Sequence, residues 1–189
     1  MPSVQDYLMT LGEVLRRLPH DDVEAVARTL REAWAQGRTV FLLGNGGSAA
    51  TASHLACDLA KGLVAPGRPR MKVIALTDNV PLLTAYGNDV GYEVAFAEQL
   101  ANLVQPGDVV IAISASGNSP NVLAAVEVAN GQGATTVGLT GFQGGKLKDL
   151  VRQRVVVPSD NTQQIEDAHL IVGHALFVQL RDGPAPGSG

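Results

Sequence analysis

Between residues 39 and 157, short runs of β-branched and other apolar residues alternate with longer stretches of helical periodicity. This alternation constrains the fold more than any other property of the chain. Val109-Val110-Ile111-Ala112-Ile113 and Val155-Val156-Val157 carry no polar residue on either side of the two-residue strand repeat. A strand apolar on both faces must be covered on both, as parallel strands are when a sheet lies between helices. The patterns predict strands over 39–43, 72–77, 108–113, 135–139 and 153–157. They predict helices over 48–62, 79–86, 92–104, 119–132 and 163–181. The expected class is α/β, a doubly wound five-stranded parallel sheet flanked by helices.

Two helices precede the sheet. Val4, Tyr7, Leu8, Leu11, Val14 and Leu15 recur at helical spacing over 4–18. Pro19-His20-Asp21 interrupts them, and Asp21 is placed to cap a second helix reaching about residue 36. The expected organisation is one domain over 1–182, with a helical hairpin over 1–36 and the α/β core over 37–182. Residues 183–189, made of Gly, Pro, Ala and Ser, are an expected disordered tail.

Hydrophobic residues are 46% of the chain and charged residues 17%, a balance that folds. The formal net charge of −4 argues against nucleic acid or an anionic membrane as partner. No apolar run approaches the length of a membrane span, and the N-terminus has no secretory pattern, so a cytoplasmic location is expected. The single Cys57 allows no intrachain disulfide, fits a reducing compartment, and reads as a small buried residue of a helix.

Two strand-to-helix junctions look chemical. The first is Gly44-Asn45-Gly46-Gly47-Ser48, after the strand at 39–43. Glycines there let backbone approach a ligand closely, with a helix N-terminus aimed at it. The second is Ser114-Ala115-Ser116-Gly117-Asn118-Ser119-Pro120. Serine hydroxyls and the free N–H groups of a helix start can cradle a phosphate without a lysine. The lysine-bearing phosphate loop of nucleotide hydrolases is absent, and the first junction lacks the full dinucleotide-binding spacing.

His54 and Asp58 lie four apart, on one face of the helix after the first junction. That pair can bind a metal or act as acid and base. The last helix carries Glu166, Asp167, His169 and His174. Glu166 and His174 are separated by about 12 Å along a straight helix, too far to reach one ion from a single chain. Different subunits, or an irregular helix start, would be needed. His169 reads as a partly exposed helix residue. For His174, among apolar neighbours, a hydrogen-bonded core position competes with a ligand role.

With these pieces placed, the chain resembles the sugar isomerase (SIS) domain family, and most closely the bacterial phosphoheptose isomerases. The resemblance is carried by Gly44-Asn45-Gly46-Gly47-Ser48, by His54 with an acid at 58, and by Gly87-Asn88-Asp89. It continues through Ser114-Ala115-Ser116-Gly117-Asn118-Ser119, Leu139-Thr140-Gly141 with Gly144-Gly145, and the final histidine helix. It implies a flavodoxin-like fold and a homotetramer with active sites between subunits. It implies phosphate binding by Ser114, Ser116 and Ser119 with Ala115 between them. Substrate contacts are implied for Asn45, Gly46, Gly47, Ser48, Asn88, Asp89 and Glu166. The implied metal set is His54, Asp58, Glu166 and His174, holding zinc or another divalent ion. Asp58 stands where the family has Glu, Glu166 where it has Gln, and Ala115 where it has Thr; the arginine usual near Gly62 is absent.

The implied reaction is aldose–ketose isomerisation of sedoheptulose 7-phosphate through an enediolate. His174 would act as base and Asp58 as acid, with the metal polarising the substrate oxygens. The alternative is a non-catalytic SIS protein, either a phosphosugar-binding regulator or an adaptor for a replication initiator. Such adaptors tend to lose the acid and the last histidine, both present here.

Overall fold

The computed structural model describes residues 3–184. Its strands are β1 (Thr39–Gly44), β2 (Lys72–Ala75), β3 (Val109–Ile113), β4 (Thr135–Thr140) and β5 (Gln153–Val156). All pair in parallel, in the order β2-β1-β3-β4-β5. Every residue of the central β3 is buried, as its unbroken apolar run requires.

The two-residue alternation sorts the core into two layers. Val40, Leu42, Val109, Ile111, Ile113, Val137 and Leu139 face one side. Phe41, Leu43, Val110 and Ala112 face the other. Burying each large side chain contributes roughly 1.5–3 kcal/mol, so a one-residue slip of register would cost many such terms at once. The first face is covered by α1 (Val4–Arg16), α2 (His20–Ala35), α3 (Gly47–Cys57) and α8 (Thr162–Asp182). The second is covered by α5 (Ala95–Leu103), α6 (Pro120–Gly131) and the short α7 (Leu147–Leu150). The remaining helix, α4 (Val80–Asp89), buries none of its residues.

Several expectations are corrected. Asp21 does not cap α2; Pro19 occupies the cap position without a side-chain bond, and Asp21 lies in the first turn, where a carboxylate meets the positive end of the helix dipole. The helix expected over 48–62 is α-helical only to Cys57 and closes with a π turn, Asp58–Gly62. The helix expected over 92–104 opens as a 3-10 turn, Tyr92–Val94, before α5. The four residues of α7 are too few to show a period. Cys57 is exposed, because α3 turns Thr51, Ala52, Leu55 and Ala56 inward instead. The expected tail begins at Gly183, yet its carbonyl accepts from Arg68 Nη2 at 3.1 Å; residues 185–189 lie outside the described residues. No helix among the described residues is long and apolar enough to cross a membrane.

His169, expected to be partly exposed, is 1% exposed. Its Nε2 lies 3.1 Å from the Thr140 carbonyl, which can only accept, so that nitrogen carries the proton. Nδ1 is buried with no partner. Burial disfavours the imidazolium and pushes the pKa down to about 4, against the smaller opposing effect of the Thr140 carbonyl. The unfolded chain would protonate His169 near its ordinary value of about 6.5, well before the folded one does. Its contribution to stability is therefore full above pH 6.5 and falls as pH drops toward 4, with a slope of up to about 1.4 kcal/mol per pH unit. Denaturant titrations across this window should show that slope in the wild type, and a correspondingly shallower one in His169→Gln.

Candidate active site

Strand order reverses between β1 and β3. From there the chain leaves β1 toward α3 on one face and β3 toward α6 on the other, which opens a crevice at the carboxyl ends of the strands. Gly44, the last residue of β1, is in register with Ile113, the last of β3. The two junctions singled out in the sequence are therefore neighbours. Between them lies a cleft of about 320 Å³, lined by Asn45, Ser48, Ser114, Ala115, Ser116, Ser119 and Glu166, with Phe142 and Thr162. Gly46 precedes α3 with φ 53° and ψ −121°, a conformation that favours glycine. Gly47 begins the helix directly against the Glu166 carboxylate. Asn88 and Asp89 do not reach this cleft; they sit exposed at the end of α4, with Asn88 Nδ2 donating to Asp89 Oδ1 at 2.7 Å.

The serine loop is held from behind. Gly117 has φ 65°, and a Cβ there would lie 2.1 Å from the Gly144 carbonyl oxygen. Leu147 N–H donates to the Gly117 carbonyl, and Lys146 N–H to Asn118 Oδ1. The loop presents its hydroxyls to the cleft. Ser114 Oγ and Ser119 Oγ are 3.1 Å apart. Ser119 occupies the N-cap position of α6 yet makes no side-chain capping bond, its hydroxyl meeting Ser114 instead. Among the described residues, no lysine or arginine lines the cleft. Positive potential comes from the starts of α3 and α6. Phe142, which also lines the cleft, has φ 50°, the one positive value among the described non-glycine residues. Backbone strain of that kind persists where the surroundings enforce it.

A second cluster lies farther along α3 and α8. His54 Nε2, Asp58 Oδ2 and His174 Nε2 converge. The separations are 3.0 Å between the two nitrogens, 3.4 Å from His54 to Asp58, and 3.6 Å from His174 to Asp58. A tetrahedral zinc with bonds of about 2.0–2.1 Å has ligand–ligand edges of roughly 3.3–3.4 Å, so the three donors fit such an ion and leave a fourth position. Both imidazoles are about half exposed, 47% and 46%, so the core alternative for His174 does not hold. Glu166 is in the cleft and not in this trio. Asp167, beside it, instead accepts from the Tyr7 hydroxyl of α1 at 2.5 Å, which pushes the Tyr7 pKa up to about 12.

Close helix approach brings the trio together. Gly173 neighbours His174, and Leu55 neighbours His54. A Cβ on Gly173 would meet Leu55 Cδ2 at 2.2 Å and Cγ at 2.9 Å. A Cβ on Gly62, at the end of the π turn, would meet the Phe177 ring at 2.6 Å. Asp58 itself opens that turn, and π turns recur at functional sites.

Asn121 and Tyr92 escaped the sequence reading. Asn121 is buried and exchanges two hydrogen bonds with Asn45, while the Tyr92 hydroxyl donates to Asn45 Oδ1. An asparagine in a first helical turn reads as a surface residue. The only available signal was a polar residue one position after Ser119-Pro120.

Residues 6–141 match the model of the SIS domain. The chain is 44% identical over 155 residues to the phosphoheptose isomerase of Akkermansia muciniphila, covering 82% of each. It is 38% identical over 181 residues to that of Trichlorobacter lovleyi, covering 96% of this chain and 91% of the relative. A solved phosphoheptose isomerase from Francisella tularensis superposes with a TM-score of 0.88 at 30% identity, over 95% of this chain and 97% of that one.

Gly173→Ala should separate α8 from α3. Leu55 is buried and cannot swing clear, so the expected cost is about 1–3 kcal/mol of stability, read by denaturant unfolding. Zinc titration of the folded variant should show weakened binding, since His174 moves with Gly173.

Proposed function

The chain belongs to the SIS-domain family and is a phosphosugar isomerase, and we propose that it interconverts sedoheptulose 7-phosphate and an aldoheptose 7-phosphate through an enediolate. The observation that carries this reading is the convergence of His54, Asp58 and His174, in a chain whose switch-point cleft offers hydroxyls and helix N-termini to a phosphate. Ser114, Ser116, Ser119 and the start of α6 would hold the phosphate. That remote grip positions the reacting carbons. Asn45, Ser48 and Glu166 would meet sugar oxygens along the cleft.

Isomerisation removes a proton from C1, beside the C2 carbonyl, and returns one to C2; the hydroxyl proton passes from O1 to O2. His174 Nε2 is turned to His54 and Asp58. Asp58 meets both imidazoles through Oδ2. We assign the proton transfers at carbon to Asp58 and His174 as an acid/base pair, with His54 orienting the Asp58 carboxylate. A divalent metal, zinc by its donor set, would be held by His54, Asp58 and His174 and would polarise the substrate oxygens.

Within one protomer Glu166 is not with the trio, so it would complete a metal set only for another copy. We propose a homotetramer with active sites shared between copies, Asn88 and Asp89 facing such a shared site. Two features support it. Val4, Leu8 and Met9 of α1 are largely exposed. A groove of about 580 Å³ beside His174 is walled by Ile171, Ala175 and Val178. The free Cys57 suits a reducing cytoplasm.

Sedoheptulose 7-phosphate followed by NMR should give an aldose signal with the wild type. Asp58→Asn should lower kcat by about 10²- to 10⁴-fold. An aldose signal undiminished in that variant would sink the assignment. His54→Ala should lose bound zinc by elemental analysis. Mixing Asp58→Asn with Ser119→Ala protein, each impaired alone, should restore activity if copies share sites. Light scattering would report the assembly directly.

A further inference from the structure

The Asn45 amide is held by a series of hydrogen bonds whose direction is set at one end. The backbone N–H of Val122, in the first turn of α6, can only donate. It meets Asn121 Oδ1 at 3.0 Å, shared with the Ser119 carbonyl at 3.1 Å. The atom it meets on Asn121 must therefore be the oxygen. The Asn121 NH2 then faces Asn45 and donates to Oδ1 at 2.9 Å, while Asn45 Nδ2 donates back to Asn121 Oδ1 at 2.8 Å. Tyr92, from the turn after α4, donates its hydroxyl to the same Asn45 Oδ1 at 2.9 Å. Asn121 is 2% exposed, so water does not compete for its side of the pair.

The arithmetic of donors and acceptors follows. An amide oxygen has two lone-pair sites and an amide nitrogen two hydrogens. Asn45 Oδ1 receives two donors and is full. Asn45 Nδ2 spends one hydrogen on Asn121, and the other has no partner among the described residues. Asn45 lines the cleft. It can offer the cleft an N–H and cannot offer an oxygen.

We propose that Asn121 and Tyr92 are positioning residues that fix Asn45 as a donor, so that this wall of the cleft selects an acceptor oxygen on the ligand. The proposal rests on the reading of the cleft as a phosphosugar site. Without the Tyr92 hydroxyl, the Asn45 oxygen has a vacant lone-pair site and its amide is held from the Asn121 side alone. Tyr92 is 52% exposed and its ring lies tilted 56° to that of Phe96, so removing the hydroxyl alone leaves the packing intact.

Tyr92→Phe tests this, with affinity for sedoheptulose 7-phosphate read by calorimetry and turnover read separately. Loss of one orienting hydrogen bond should raise Kd and KM about 3- to 10-fold. The melting temperature and kcat should stay at wild-type values, as for an interaction made equally in ground and transition states. Asn121→Leu should weaken affinity further. A merely structural role would lower the melting temperature and the active fraction and leave KM alone. Unchanged Kd and KM in Tyr92→Phe would overturn the proposal while the isomerase reading stands. Wild-type protein that binds the sugar phosphate without converting it would remove the isomerase reading and leave the affinity comparison decisive. Wild-type protein that binds no phosphosugar would overturn both.

Discussion

The contact between α3 and α8 is the constraint on which the trio of His54, Asp58 and His174 depends. Neither helix alone has a catalytic arrangement. His54 and Asp58 share a face of α3 and its π turn, and His174 projects from α8. They meet because Gly173 brings the backbone of α8 onto Leu55, and Gly62 brings the end of the π turn onto Phe177. Both helices also lie on the same face of the sheet, in the layer built by Val40, Leu42, Val109 and Ile111. Sheet register thus sets helix position, and helix position sets the 3.0 Å approach of the two imidazoles. The π turn matters at the same point. The carboxylate of Asp58 is one methylene shorter than the glutamate of the family pattern, yet its Oδ2 lies within 3.6 Å of both ring nitrogens. The shorter side chain is compatible with the trio as built.

What could be read in the sequence follows the range of the interactions involved. The apolar run of β3 encodes its own burial, so the five-stranded sheet and its flanking helices were legible. The glycine and serine junctions were legible for the same reason: their chemistry lies in consecutive residues. The trio was half legible. His54 and Asp58 announce themselves four apart, but their union with His174 depends on two glycines that carry no local signal of helix packing. His169 was misread because its partner, the Thr140 carbonyl, is 29 residues away and contributed by a strand. Asn121 was missed because a reciprocal amide pair with Asn45 spans 76 residues. Asp21 was misassigned because a competent capping residue stood two positions beyond the proline that ends the interhelical turn.

As the proposed phosphate site, the cleft is electrostatically unusual. Among the described residues no cationic side chain lines it, and one acid, Glu166, does. A phosphate held there relies on serine hydroxyls and on the positive ends of α3 and α6, each equivalent to about half an elementary charge. The Glu166 carboxylate lies against Gly47, so it already draws on the α3 terminus. Inorganic phosphate would meet this carboxylate with only the hydroxyls and helix ends to offset the repulsion. A polyhydroxy chain attached to the phosphate changes the balance, since its hydroxyls can donate to Glu166 while the phosphate stays on the α6 side. The acid and the missing lysine together disfavour a small anion and favour a longer ligand, charged at one end and rich in hydrogen-bond donors along its length. The two ends of α8 are thus separated in place: Glu166 at its start lines the cleft, and His174 two turns later joins the trio.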